Sequence, residues 1–354
     1  MQLLADIVAL SHEFGTADYI CGGGGNTSVK NADTLWVKPS GTTLSGLTAE
    51  KFVSLSRAAL PRLYTLEIPD DSHAREALVK EAMAAAVLPG NKGRPSVEAP
   101  LHDVLVGTFV VHTHPALVNG MTCSKNGAAT CARLFPDALW IPYIDPGFTL
   151  CMDVRKRVIE FTAKHKRPPL LLFLESHGVF VTADTPAEIR ATYARVMNTL
   201  RAEYAKAGVA TTLTVAPPAP PAIVEMTSKA IADLLGENAD GIAYSGPFPI
   251  ADGPLTPDHI VYAKSFPYTG PLTRAKMTEF QKERGYPPKV IATPVGVFGV
   301  SPVQKHAEIA LELALDGALV RQLAAAFGGF QYMTDRARLF IENWEVESYR
   351  QKQI

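Results

Sequence analysis

A chain of 354 residues exceeds what one ordinary core accommodates and implies about two domains. Hydrophobic residues at 47% and charged residues at 19% argue against extensive disorder, and a formal net charge of −1 without a Lys/Arg run excludes the basic footprint of a nucleic-acid binder. Cys21, Cys123, Cys131 and Cys151 form no CxxC pair, the N-terminus lacks a signal-peptide pattern, and the most apolar stretch, 169–174, is too short to span a bilayer. The expectation is a cytoplasmic protein with reduced thiols and no membrane or nucleic-acid partner.

In chain order, residues 3–14 carry the apolar spacing of an amphipathic helix, and 26–30 and 34–38 read as two strands about a polar turn. The Ala-, Glu- and Lys-rich stretch 72–87 predicts a helix, and Ser96 is placed to cap a second one running through 106. The apolar runs 108–113 and 170–174 have strand length, and 185–207 predicts a long closing helix. Strands this apolar are covered on both faces, which implies a layered α/β/α arrangement about a central sheet. Four prolines between 215 and 222 favour extended geometry and mark a linker. The domains are therefore expected at 1–214 and 223–354, the second a smaller α/β unit. There, 226–235 predicts a helix, 259–264 and 290–300 strands, and 304–327 a long helix.

The sharpest local signal is Phe-Val-Val-His-Thr-His-Pro at 109–115. Side chains at i and i+2 leave a strand on one face, so His112 and His114 can address one ion. Catalytic metal sites commonly take three protein ligands, and His177, following the strand 170–174, supplies a third imidazole if the two strands are neighbours ending at one edge. Isolated HxH patterns also occur as ordinary hydrogen-bonded histidines. Glu98 falls in the first turn of the helix capped by Ser96, where the helix dipole favours a carboxylate and where a base can also stand beside a metal. Gly22 to Gly25, followed by Asn26, Thr27 and Ser28, lets backbone approach an anion closely and adds neutral donors, and Lys38-Pro39-Ser40-Gly41 can close over the same anion. Neither stretch matches a dinucleotide fingerprint or a P-loop.

Together these pieces resemble the class II aldolase/adducin family. The resemblance runs in order through GGGGNTSVK at 22–30, KPSG at 38–41, PSVEAPLH at 95–102, VVHTHP at 110–115 and SHG at 176–178, and covers about the first 210 residues. It implies a zinc or other divalent metal ion held by His112, His114, His177 and Glu98, with Glu98 also the acid/base. It implies a phosphate held by Gly25, Asn26, Thr27, Ser40, Gly41 and Ser96, and it puts Tyr143, in a Pro-Tyr pair, near the site. Epimerases of the family carry aspartate where Glu98 stands, so glutamate favours carbon–carbon cleavage. Two departures are an extra stretch between KPSG and the SxE motif, which contains the helix at 72–87, and a short interval from Glu98 to His112.

The second unit, through GPLTPDHIVYAKSFP, VGVFGVS and ENWEVESYRQKQ, resembles the middle region of bifunctional rhamnulose-phosphate aldolase/alcohol dehydrogenase proteins. Their dehydrogenase domain is not expected here, and no NAD chemistry is expected with it. His259 in this unit is a candidate catalytic group if it lines the pocket, and otherwise part of a satisfied polar pair with Asp258. The family reading is retro-aldol cleavage of a ketose 1-phosphate to dihydroxyacetone phosphate and an aldehyde, with Tyr143 or His259 protonating the departing oxygen. Decarboxylation or dehydration of a phosphorylated sugar acid, and a non-catalytic adducin-like module, are the rivals. A homo-oligomer, by family a tetramer, is expected.

Overall fold

The structure, a computed structural model, describes residues 2–344 except 68, 70 and 92. The described residues form two compact units, one running up to Val118 and taking in Ala128–Leu200, the other made of Asn119–Gly127 and the residues from Arg201 onward. The segment with the four prolines lies inside the range of the second. No helix among the described residues is long and apolar enough to cross a membrane.

The first unit is built on a seven-stranded mixed sheet. Its elements are α1 (Gln2–Phe14), β1 (Asn26–Lys30), β2 (Thr34–Val37), β3 (Val53–Ser56), α2 (Ser72–Ala86), α3 (Ala99–Val104), β4 (Phe109–Thr113), α4 (Ala116–Thr122, which runs into the second unit), α5 (Gly127–Leu134), β5 (Leu139–Ile141), α6 (Phe148–His165), β6 (Leu171–Leu174), β7 (Gly178–Ala183) and α7 (Pro186–Lys206). The spatial order is β3-β2-β1-β4-β7-β6-β5, antiparallel except for β5 and β6. Local chemistry explains the hairpins and helix starts. The Asn31 carboxamide accepts from the N–H groups of Asp33 and Thr34, which fixes the β1–β2 turn. Thr185 and Glu188 form a reciprocal box that starts α7.

Helices cover both faces of the sheet, as the uninterrupted apolar strands predict. Leu101 and Leu105 with Leu150, Val154 and Val158 of α6 pack on Val110, Leu172 and Phe180. On the opposite face Ser11 of α1 bonds Thr27, and Tyr193 of α7 packs on Phe14 and bonds Thr113. Strands β4 and β7 are buried at every residue. Each such apolar side chain contributes about 1.5–3 kcal/mol, and this centre is where a few buried polar groups can be carried.

The second unit has a three-stranded antiparallel sheet, β8-β10-β9, formed by β8 (Gly241–Ser245), β9 (Val290–Thr293) and β10 (Gly296–Ser301). Its helices are α8 (Pro221–Leu235), α9 (Pro257–Ala263), α10 (Arg274–Arg284), α11 (Gln304–Ala324) and α12 (Asp335–Asn343). Ile231, Leu235, Met277, Ile291, Phe298 and Val300 form its core. The end of the ENWEVESYRQKQ stretch, from 345 on, lies outside the described residues.

Three expectations change. Residues 259–264 are not a strand but most of α9. Thr256 caps the helix by accepting from the His259 N–H, and Pro257 follows at its first position. That start signal outweighs the β propensity of Ile260, Val261 and Tyr262. The helix expected from Ser96 to 106 shrinks to α3, with Glu98 at its N-cap, while the Ser96 hydroxyl accepts from the Glu98 N–H at 3.3 Å. The run 290–300 is a hairpin, β9 and β10, turning at Pro294 and Val295.

Candidate metal centre

His112 lies on the central strand β4 and His114 directly follows that strand, so period-two geometry aims both rings to one side. His177 arrives differently from the expectation. Strand β6 does not neighbour β4, because β7 stands between them. The ring comes instead from the tight β6–β7 turn, where Leu174 pairs with Gly178 and Ser176 takes a left-handed φ of 52°. Gly178 is required at this turn. A Cβ there would stand 2.4 Å from the Thr113 carbonyl oxygen and 2.6 Å from the His114 ring. Gly25, at φ 70°, has the same constraint, since its Cβ would meet the His112 carbonyl oxygen at 2.8 Å.

The three imidazoles are buried, and their ligand nitrogens all lie within 4.8 Å of one another. Nε2 of His112 and Nε2 of His114 are 2.8 Å apart. The Glu98 carboxylate, also buried, stands 3.8 Å from Nε2 of His112 through one oxygen and 3.8 Å from Nε2 of His177 through the other. In a tetrahedral zinc site, neighbouring ligand atoms stand roughly 3.3–3.5 Å apart. The spacings here, from 2.8 Å up to 4.8 Å, bracket that value, and three imidazoles with a carboxylate are a donor set that fits a divalent cation. The tautomer fits as well: Nδ1 of His112 is 3.0 Å from the Val179 carbonyl oxygen, which can only accept, so the proton is on Nδ1 and Nε2 faces the cluster as a donor of its electron pair. Phe180 stacks on the other side of that ring at 3.7 Å and 8°, which fixes its plane. An inward-facing imidazole electron pair beside a buried carboxylate is costly without a cation or a proton to meet it.

The expected phosphate stretches come together in part. Lys38 donates its backbone N–H to the Thr27 carbonyl, the Ser96 N–H goes to the Lys38 carbonyl, and the Ser40 N–H to the Arg94 carbonyl. Ser40, Gly41 and Ser96 therefore belong to one pair of loops, beside the end of β1. Asn26 opens β1 opposite His112, and its Nδ2 donates to Glu98 Oε2 at 2.5 Å. Thr27 points to the other face, where its hydroxyl meets Ser11 at 2.7 Å. A cavity of about 410 Å³ runs along the same loop. Val79, Met83, Val97 and Phe148 give it apolar walls, and Arg94 and Ser96 give it polar ones. Much of it is contributed by α2, within the stretch that departs from the family pattern.

Tyr143 follows β5, and its backbone N–H donates to Glu175, two residues before His177. His259 belongs to the second unit and has both ring nitrogens engaged there, Nδ1 with Thr256 at 2.8 Å and Nε2 with Asp316 at 3.0 Å. The carboxylate it bonds is thus that of Asp316. Sequence reasoning gave no role to Lys30, His102 or Phe180, and took Ser28 only as a neutral donor to an anion, whereas its hydroxyl meets His102. In the sequence 26–28 is an unbroken polar run, and the shared face of 26, 28 and 30 emerges only once the strand is seen to be buried throughout.

Lys30 is buried, and desolvation pushes its pKa down to about 7, with Asp103 and Asp184 opposing that shift and Arg57 adding to it. Its ammonium or amine finds two carbonyls, those of His102 and Leu105. Between about pH 7 and the ordinary lysine range near 10.4, the unfolded chain holds a proton that the folded chain has released. Stability contributed by this group therefore rises with pH across that window. Chemical denaturation between pH 7 and 10 is expected to show wild type gaining stability relative to Lys30→Met; parallel pH profiles would refute the assignment.

A family model described as the class II aldolase and adducin N-terminal domain matches residues 5–204. The chain belongs to this family. YuxG of Bacillus subtilis strain 168, described as an uncharacterized oxidoreductase, is 29% identical over 192 residues, 51% of this chain and 26% of that protein. The chain thus spans about a quarter of the length of the curated relative it matches. Among solved structures, the N-terminal class II aldolase domain of a conserved protein from Thermoplasma acidophilum is similar at TM-score 0.48 and 24% identity, over 56% of this chain and 91% of that one. An L-fuculose 1-phosphate aldolase is similar at TM-score 0.40 and 13% identity, over 65% and 96%. Family membership covers the part of the chain that carries all three clustered histidines and Glu98.

Proposed function

We propose that this class II aldolase family member is a metal-dependent aldehyde-lyase that cleaves a ketose 1-phosphate reversibly to dihydroxyacetone phosphate and an aldehyde. The observation that carries the reading is a buried carboxylate, Glu98, set against two of three converging imidazoles and held there by an amide donor. His112, His114 and His177 would hold zinc or another divalent ion, with Glu98 beside them. Such an ion supplies Lewis-acid polarisation of substrate oxygens, which contributes several kcal/mol to the transition state.

The chain's own residues carry the rest. Glu98 takes the proton to and from the carbon that loses the aldehyde, a general acid/base contribution of about 10²–10⁴-fold. Backbone N–H groups at Gly25 and Gly41 and the hydroxyls of Ser40 and Ser96 hold the phosphate. The proton for the departing aldehyde oxygen is assigned to Tyr143 rather than His259, because Asp316 and Thr256 engage both nitrogens of that histidine. The apolar-walled cavity beside Ser96 provides room for the rest of a small sugar phosphate.

The test is metal content of the purified protein, paired with dihydroxyacetone phosphate release from a panel of ketose 1-phosphates. The reading expects metal near one per chain and release from at least one sugar. Bound metal without release from any member moves the assignment to decarboxylation or dehydration of a phosphorylated sugar acid. Absence of metal after zinc is supplied leaves the non-catalytic module.

A further inference from the structure

Three alternate residues of β1 each bond to the segment that presents Glu98. Asn26 Nδ2 donates to the Glu98 carboxylate. The Ser28 hydroxyl lies 2.8 Å from Nδ1 of His102. Lys30 Nζ donates to the carbonyl of His102 at 2.6 Å and to that of Leu105. All of these side chains are buried.

The match has a geometric origin. Same-face side chains on a strand recur about every 6.6–6.8 Å, and four residues of helix rise about 6 Å. Successive rungs from 26, 28 and 30 therefore meet α3 at 98, at 102 and at its C-terminal carbonyls. The helix is only six residues long, and at its ends the Leu101 and His102 N–H groups go to the Glu98 carbonyl and that of Leu105 to the Leu101 carbonyl. A helix this short is not held by its own backbone. Ser96 at its start, Tyr64 on the Pro100 carbonyl and Arg57 on Asp103 also tether it, but β1 is the element that bonds both the Glu98 carboxylate and the far end of the helix. The rack also reaches a second member of the site, because the His102 ring meets Phe180 edge-on at 5.5 Å and Phe180 stacks on His112.

We infer that Ser28, Lys30 and His102 are positioning residues that hold α3, and through it Glu98, in register with the histidine cluster. The inference rests on the functional reading only for its effect on turnover; its structural arm stands without it. The residues act through Glu98 and touch neither substrate nor metal.

The test compares Ser28→Ala and Lys30→Met with Val29→Ala. Val29 is buried on the same strand but faces the α1 side, so its truncation loosens β1 without removing a rung. Amide hydrogen exchange at residues 101, 102 and 105 is expected to accelerate in the two rung variants and not in Val29→Ala at matched stability. Equal acceleration in all three overturns the proposal. Cobalt(II) bound to the apoprotein gives a second readout: the visible spectra of the rung variants should move toward that of Glu98→Gln, while that of Val29→Ala stays with wild type. For an accepted sugar phosphate, kcat should fall about 10–100-fold in the rung variants with KM little changed, the range found when groups that orient ligands are removed. Ser28→Thr and Lys30→Arg should restore part of it. If wild type releases no dihydroxyacetone phosphate, the lyase reading fails while exchange still decides the rack. Unchanged exchange in Ser28→Ala and Lys30→Met overturns the rack whatever the activity.

Discussion

His112→Ala removes stoichiometric metal from the protein and leaves the seven-stranded sheet folded. The ring is fully buried, stacks on Phe180 and is tied by Nδ1 to Val179, so its loss leaves a cavity beside β7. Truncation of a large buried side chain costs about 3–5 kcal/mol, part of it offset because three converging imidazoles become two. Stability of this size is tolerable for a domain with two helical layers over its sheet. The effect on metal is larger. Changing groups that merely orient ligands costs about 10–100-fold in affinity, so removing a central ligand should exceed about 100-fold. Competition titration with zinc or cobalt measures it, with thermal unfolding alongside. A chelator should lower the melting temperature of wild type and leave His112→Ala unmoved, because an ion that binds only the folded state stabilises it by mass action. Wild-type metal affinity in His112→Ala would mean that the histidine cluster has another role.

What the sequence made legible follows from how local each signal is. The paired imidazoles of His112 and His114 need only the period of two in β4, and α1 needs only the spacing of Ile7, Leu10 and Phe14. The three-layer arrangement followed from apolar strands that require cover on both faces. His177 lies with His112 and His114, yet its route was misread: 179–182 has the composition of a further strand, but that β7 stands between β6 and β4 is a fact of pairing that no local pattern carries. The misreading of 259–264 was a competition between two local signals, in which Thr256 and Pro257 overcame Ile260 and Val261. Ser28 and Lys30 could not be interpreted from sequence because their partners lie more than seventy positions away. A serine and a lysine in a strand read as a solvated face until the helix that covers them is known. The pairing of the 38–40 and 94–96 loops, more than fifty positions apart, was likewise beyond any local pattern, and only the resemblance grouped their residues.

Glu98→Gln is expected to lower kcat by about 10²–10⁴-fold, the contribution of a general acid/base, while three histidines retain the metal. Glutamine keeps the length and shape of the side chain and lets its amide oxygen accept the bond from Asn26, so the rack and the cluster need not move. What disappears is the group that takes and returns a proton. If the role is proton transfer, KM changes little and added metal restores nothing. If Glu98 serves chiefly as a ligand, metal affinity falls first and excess zinc recovers the rate. Glu98→Asp separates the two further, since it keeps the charge but withdraws the carboxylate by one methylene from imidazole nitrogens that stand 3.8 Å away in wild type. A base that must reach a substrate carbon loses most of its rate from such a retreat, because misplacement by about 1 Å can cost about 10²-fold. Steady-state kinetics on any accepted sugar phosphate, with metal content measured on each variant, distinguishes these outcomes. Undiminished turnover by Glu98→Gln would remove Glu98 from the chemistry and, with it, the carboxylate that distinguishes this centre from three histidines holding an ion for structural reasons.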